Sequence, residues 1–359
     1  MTYSTTKTYQ YNWNSFDKEL MKDFNWFLQK INTRACIQYG FLNEEYENVD
    51  RHGNIDHGLG WDVEYFHPTI TLDDRMRFIG TVIAQSPISL FNIVGNTFIS
   101  HFYGGRGVHY LASGDDNTLV DFDKIADGDS VYKKEIEYNL DVAKKRKQPI
   151  WGSTELHTSI QTAARNHCRT KYKKPDKKFH AIDVIEWVSS FRDSGFFDDM
   201  MKITHIKDMY ALLRKQPGIG EYYGFHGAAS SSVLPQVKYN HDQRFVAPGP
   251  GAVYLIKRMW PNAPKNLYDE SIYFLRENSD AIGLTTNVDF HPDAFNIQTE
   301  NGPLFSFDQD SLKYYGTEVL SCQFGIYLQI RHSKSMCARR KVARVQNKNT
   351  FSNLFSEEK

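Results

Sequence analysis

The sequence predicts a mainly α-helical protein. Three observations carry that reading. Apolar residues recur at three- and four-residue spacing in one segment after another. Glycines and prolines punctuate those segments where helices stop. The run Gln216-Pro217-Gly218-Ile219-Gly220-Glu221 lies between two such segments as a tight helical hairpin.

Phe16 to Leu42 reads as the first helix, with Trp26, Phe27, Ile31 and Cys36 on or near one face. Glu44 to Asp62 is polar and reads as a loop. Its His52, Asp56, His57 and Asp62 match no helical metal motif such as H-E-x-x-H, so no metal site is expected there. Met76 to Phe102 is helical in pattern, interrupted by Pro87 and Gly95, and ends at Gly104-Gly105-Arg106-Gly107. No G-x-x-x-x-G-K-[ST] loop occurs in the chain, which argues against a nucleotide-hydrolysing kinase. Ser113 to Pro149 is charged and reads as a surface excursion with a helix near Lys133 to Lys147. Helical character resumes at Ile150 to Thr170, at Asp183 to Ser194, and at His205 to Leu213 before the hairpin. Beyond it, Gly251 to Trp260 and Leu267 to Asn278 read as helices. Ser311 to Arg331 reads as a long helix interrupted by Gly316 and Gly325. The expected division is an N-terminal helical region, 1–149, a core, 150–345, and a tail, 346–359.

The hairpin has a physical logic. Pro217 lacks an N–H and ends the first helix. Gly218 and Gly220 can take backbone angles closed to other residues and admit a second backbone at close range. The second helix starts after Gly220, and its first N–H groups attract an anion such as a DNA phosphate. The plainer alternative is an ordinary turn between helices. Twenty-two residues after Gly220 stands Asp242, with His241 before it and Arg244 two residues on. The turn Ala247-Pro248-Gly249-Pro250-Gly251 follows. A hairpin of this kind and an Asp at this distance resemble the core of the helix-hairpin-helix DNA glycosylase superfamily. That resemblance implies a glycosylase-like helical fold, a hairpin on DNA and an Asp beside a flipped nucleotide. Asp242 would then stabilise cationic charge on the sugar, position water, or accept a proton from an incoming amine. The alternative for Asp242 is a solvated loop residue capping the next turn. His241 is the candidate proton shuttle, or an ordinary loop residue. Gly218, Ile219, Gly220, Arg244, Gly249 and Gly251 are the candidate DNA contacts around it.

Composition bounds the partners. Apolar residues make up 40% of the 359 and charged residues 24%, the balance of a globular chain. Lys and Arg number 43, as do Asp and Glu, so bulk charge does not drive nucleic-acid binding and local patches must. One basic cluster is Arg165, Arg169, Lys171, Lys173, Lys174, Lys177 and Lys178; a second runs from Arg331 to Lys348. Each is either a phosphate track or a solvated face. The run Asp121 to Asp129 is read as compensating acidic surface. Cys36, Cys168, Cys322 and Cys337 form no C-x-x-C pair, so no iron–sulfur or zinc cofactor is indicated. No signal peptide or membrane span is legible, and a cytoplasmic protein is expected. The second hairpin helix starts Glu221-Tyr222-Tyr223-Gly224-Phe225-His226 and lacks the Lys with which lyase-type glycosylases form a Schiff base.

A wider pattern is more specific. Pro217-Gly218-Ile219-Gly220, Val237-Lys238-Tyr239, Asp242, Val246 through Ala252, and Ile256-Lys257-Arg258-Met259-Trp260-Pro261 resemble the α-glutamyl/putrescinyl thymine pyrophosphorylase family. The same pattern occurs in the helical domain attached to some 5-hydroxymethyluracil DNA kinases. The likeness covers about Ile150 to Lys341. It departs at Cys322-Gln323-Phe324-Gly325-Ile326-Tyr327, where the family's C-E-F-x-K-Y-like run has an acid and a lysine. The resemblance implies a transferase of phage thymidine hypermodification, a pathway that protects viral DNA from restriction. Such an enzyme acts in the host cytoplasm on double-stranded DNA carrying a modified pyrimidine. It replaces the (pyro)phosphate of phosphorylated 5-hydroxymethyluracil with an amino acid or amine, after a separate 5-hydroxymethyluracil DNA kinase. A glycosylase excising a bulky modified pyrimidine and a non-catalytic DNA-binding module are the competing readings.

Overall fold

The computed structural model describes residues 11–38, 42–43, 45, 47–56, 89–103, 112–114, 119–148, 150, 158–173, 180–232, 244–284, 298–299, 302–303 and 310–332. Their structure is mainly helical, as expected. In chain order the helices are α1 Lys18–Gln38, α2 Leu90–Tyr103, α3 Phe122–Ala126, α4 Ser130–Lys145, α5 Thr158–Tyr172, α6 Ile182–Ser189 and α7 Phe196–Lys202. There follow α8 Ile206–Arg214, α9 Glu221–Ser232, α10 Pro250–Met259, α11 Tyr268–Glu277 and α12 Asp310–His332. A two-stranded antiparallel pair, β1 Gln298–Thr299 and β2 Gly302–Pro303, precedes α12.

The chain divides into two compact units, each drawn from separated stretches. One comprises Met1–Pro68, Val246–Asp289 and Gly316–His332. Its α1 buries Leu20, Met21, Phe24, Phe27, Leu28 and Ile31, the stripe a 3.6-residue period predicts. Phe24 stacks on Phe324 of α12 at 4.8 Å between ring centres, and Phe27 lies 5.1 Å from Tyr327. At the end of α10, Trp260 is fully buried, with its indole N–H donating to the Trp13 carbonyl at 2.8 Å. In the loop at 48–56 both described acids are engaged within the fold. Asp50 Oδ1 accepts the amides of His52 and Asn54, its Oδ2 pairs with Arg331 at 2.8 Å, and buried Asp56 accepts the Tyr327 hydroxyl. Burial alone would raise the Asp50 pKa. The amides of Asn54 and His52, with the Asn54 side chain and Arg331, outweigh it and hold the carboxyl below its usual range. His57 and Asp62 lie outside the described residues.

The other unit comprises Thr69–Phe245, Phe290–Tyr315 and Ser333–Lys359. α2 runs through its core, burying Val94, Phe98, Ile99 and Phe102. Around it pack α3, α6 and α9, while α5 packs on α6 and α8 on α9. Phe98, Phe102, Trp187, Phe191 and Phe196 form a chain of ring contacts at its centre. Gly95 does not interrupt α2. A Cβ there would fall 2.6 Å from the Phe122 ring, so the glycine makes room for α3. One residue further, Asn96 clasps the backbone of Val120, donating to its carbonyl at 2.8 Å and accepting its amide at 3.1 Å.

The expected surface excursion at 113–149 is part of this core where described: Phe122, Ile136 and Leu140 are buried. Its acids act locally. Asp121 and Asp129 cap α3 and α4, and Asp123 and Asp127 meet Arg192. The helix expected over Asp183 to Ser194 ends at Ser189, and the turns after it reach Gly195 with φ of 74°. There α7 begins, a helix of seven residues too short to show a period.

Candidate active site

The hairpin stands where the sequence placed it, between α8 and α9. Ile219 is buried and its amide donates to the Gln216 carbonyl at 3.2 Å; the Gly224 amide closes the first turn of α9 on the Gly220 carbonyl at 2.9 Å. Gly218 has φ of 83°, and a Cβ there would fall 2.5 Å from Ala163 Cβ and 2.7 Å from the Ser159 carbonyl oxygen of α5. The close backbone approach at Gly218 is therefore made to α5 within this protein. Gly220 is different: the nearest atom to a Cβ there is Arg214 Nη1 at 4.0 Å. Arg214 is exposed and donates to the Ile219 carbonyl at 3.3 Å, holding a guanidinium at the mouth of the hairpin. Glu221, also exposed, brings one negative charge to the same helix start.

Asp242, His241, Lys174, Lys177 and Lys178 lie outside the described residues. The chain is described again from Arg244, which is exposed. Phe245 next to it is pinned to both hairpin helices, its ring 5.1 Å from Tyr210 of α8 and 5.9 Å from Phe225 of α9. Beside it on α9, half-buried Tyr222 and His226 lie 4.2 Å apart between ring centres. The Tyr315 hydroxyl sits 2.9 Å from His226 Nδ1, which fixes the plane of the imidazole.

Lys173 follows α5 with φ of 50° and is exposed. With Asn166, Arg169 and Thr170 it lines an open cleft of about 380 Å³. Asn166, Arg169 and Thr170 stand at i, i+3 and i+4 on one face of α5, and Lys173 joins them just past its end. Further along the same unit, the buried groups of Cys168, Asp183 and Glu186 lie within 4.8 Å of one another. The Lys133 ammonium contacts Glu186, and Asp183 accepts the His180 amide at 2.9 Å. Glu186, wholly buried, is thus paired with an ammonium.

In the first unit, the glycine turn is built into packing. Gly249 and Gly251, read from the sequence as DNA contacts, are both buried. Gly249 caps α10 without a side chain, and Pro250 takes the first helical position, where its missing N–H costs nothing. The Gly249 amide donates to Glu318 Oε1 of α12 at 2.8 Å. Glu318 is wholly buried, its Oε2 has no partner among the described residues, and burial pushes its pKa up to about 7 against the opposing pull of the Gly249 amide. Sequence reasoning missed this residue. The available signal was an acid on the stripe Tyr314, Ser321, Gly325 and Leu328, whose three- and four-residue spacing marks the buried face of α12.

Residues 121–335, more than half of the chain, match the family described as 5-hmdU DNA kinase, helical domain, and the protein belongs to that family. The match takes in α3 through α12, including the hairpin, Asp242 and the glycine turn. No curated protein and no solved structure matches the chain.

Proposed function

We propose that the protein is a DNA-modifying transferase acting on phosphorylated 5-hydroxymethyluracil in duplex DNA. An amine or amino acid attacks the exocyclic methylene carbon on C5. The new C–N bond forms as the C–O bond to the (pyro)phosphate breaks, and the nucleophile's surplus proton passes to a base. The observation that carries this reading is the family match, because it spans the hairpin, Asp242 and the glycine turn together and names a 5-hmdU kinase as the context of its domain.

The residues take these roles. The amides at the start of α9, with Arg214, Lys173, Lys174, Lys177, Lys178 and Arg244, hold DNA phosphates. Asp242 accepts the proton, with His241 beside it. Asp242 stands three positions before Phe245, a span of at most about 11 Å, and the Phe245 ring is anchored on both hairpin helices. No Walker-type phosphate loop occurs in the sequence, so phosphorylation of the base is assigned to a kinase outside these residues.

The test is incubation with DNA containing phosphorylated 5-hydroxymethyluracil and a mixture of amino acids and polyamines, followed by nucleoside mass spectrometry. An aminated thymidine that disappears with Asp242→Asn supports the proposal. Abasic sites in place of it point to base excision, the reading favoured by the spacing of hairpin and Asp. Unaltered nucleosides in every reaction overturn both.

A further inference from the structure

We infer that Glu318 is a positioning residue, whose buried carboxyl grips the Gly249 amide and sets the turn through which the chain passes from Asp242 into α10. The role assigned to that turn rests on the reading of Asp242 above; the grip itself does not.

A carboxyl at this place is costly. Glu318 is fully buried, holds one amide, and leaves its second oxygen unpartnered among the described residues. A leucine on the same stripe would pack without that cost. Ser321, one turn on, also buries a hydroxyl that has no partner among them. Such groups are kept where they do something that packing cannot. Here the carboxyl accepts the amide of the N-cap residue itself, as a Glu or Gln at the third helical position does in a capping box; Ala252, which holds that position, cannot. Two residues on, Gly251 is pressed against the Cys322 backbone and thiol, and its carbonyl against Gly325. The start of α10 is thus fixed on α12 at Gly251 and again, through Glu318, at Gly249.

The grip also depends on charge. No titratable side chain comes from the turn Val246 to Gly249. α10 carries only Tyr254, Lys257 and Arg258, of which Lys257 and Arg258 are exposed in its last turn. On α12 the titratable groups within about one turn are Tyr314, Tyr315 and the Cys322 thiol. On α1, Phe24 and Phe27 face α12, while its Glu19 is exposed and pairs with Lys22 and Arg51. Burial and the Gly249 amide are the influences that set the Glu318 ionisation, which falls near neutrality. Protonated, the carboxyl stays inside at little cost. Ionised, it favours any opening of the turn that lets water reach it.

Hydrogen exchange across 246–252, corrected for the intrinsic pH dependence of amide exchange, reads the grip directly. In the wild-type protein, protection should fall on the order of tenfold or more from pH 5.5 to 8.5. In Glu318→Gln, which keeps the acceptor but cannot ionise, it should stay level. The single-turnover modification rate should show an ionisation near pH 7 in wild type and lose it in Glu318→Gln. Level protection in wild type overturns the inference without any variant, as does a wild-type slope retained in Glu318→Gln. Exchange that behaves as expected in a protein that modifies no DNA sustains the grip and removes the function assigned to Asp242.

Discussion

The carbonyl oxygen of Gly251 occupies the place where a side chain on Gly325 would begin. The two helices of that contact, α10 and α12, meet backbone against backbone, and a Cβ on Gly251 would itself come within 2.4 Å of the Cys322 carbonyl oxygen. Neither obstacle is the far end of a flexible side chain. Gly325→Ala should therefore lower the unfolding free energy by about 1–3 kcal/mol or more, the scale of overpacking. Gly316→Ala is the control on the same helix. Nothing lies within 4 Å of its added carbon, and replacing a helical glycine by alanine should stabilise by up to about 1 kcal/mol. Urea unfolding of the three proteins measures both signs.

The two hairpin glycines should separate in the same way. Gly218 has φ of 83° and abuts Ser159 and Ala163, so Gly218→Ala should damage the fold before it says anything about DNA. Gly220 has open space, and Gly220→Ala should leave the unfolding midpoint unchanged. Its methyl group would still stand where a phosphate must approach the amides of α9. A rise in Kd for duplex DNA of about tenfold is expected for Gly220→Ala; unchanged affinity would show that the hairpin does not touch the backbone.

Stability should vary with pH through Glu318. Its folded pKa, about 7, lies above the ordinary value of 4.5. The folded state therefore binds the proton more tightly than the unfolded state. The stability tied to that proton is present in full below about pH 4.5 and is lost as pH rises to about 7. The shift corresponds to about 3 kcal/mol. The stability of wild type relative to Glu318→Gln should fall by something on that scale between pH 5 and pH 8. A constant difference would mean that Glu318 titrates normally.

What the sequence discloses is whatever one chain segment decides by itself. α1, α8, α10 and α11 each carry enough periodic apolar positions to be seen alone, and Pro217 with two glycines marks the hairpin without help from the rest. Gly95, Gly316 and Gly325 read as breaks because a glycine in a helical pattern is ambiguous until its neighbour is known. The ring of Phe122 beside Gly95 and the carbonyl of Gly251 beside Gly325 are facts of packing, not of local pattern. The same limit hid Glu318. Its place on an apolar stripe was visible, but the amide that it holds is 69 residues away.

The last prediction concerns the cationic face at the end of α5. Arg169 and Lys173 are exposed and line one cleft with Asn166 and Thr170, and neither cation is spent on a described ion pair. Lys171 differs, since it lies 3.7 Å from Asp193 and points its charge at an acid. If the face tracks a phosphate backbone, each neutralised phosphate adds roughly 0.9 to the negative slope of log K against log salt on duplex DNA. The pair Arg169→Ser and Lys173→Ser should then flatten the slope by about 1.8, with weaker binding at low salt for every sequence tested. Lys171→Ser should change it by much less. Fluorescence anisotropy over a salt series measures all three. A slope that stays at the wild-type value in the double variant would assign the face to solvent and leave DNA binding to the hairpin and Arg244.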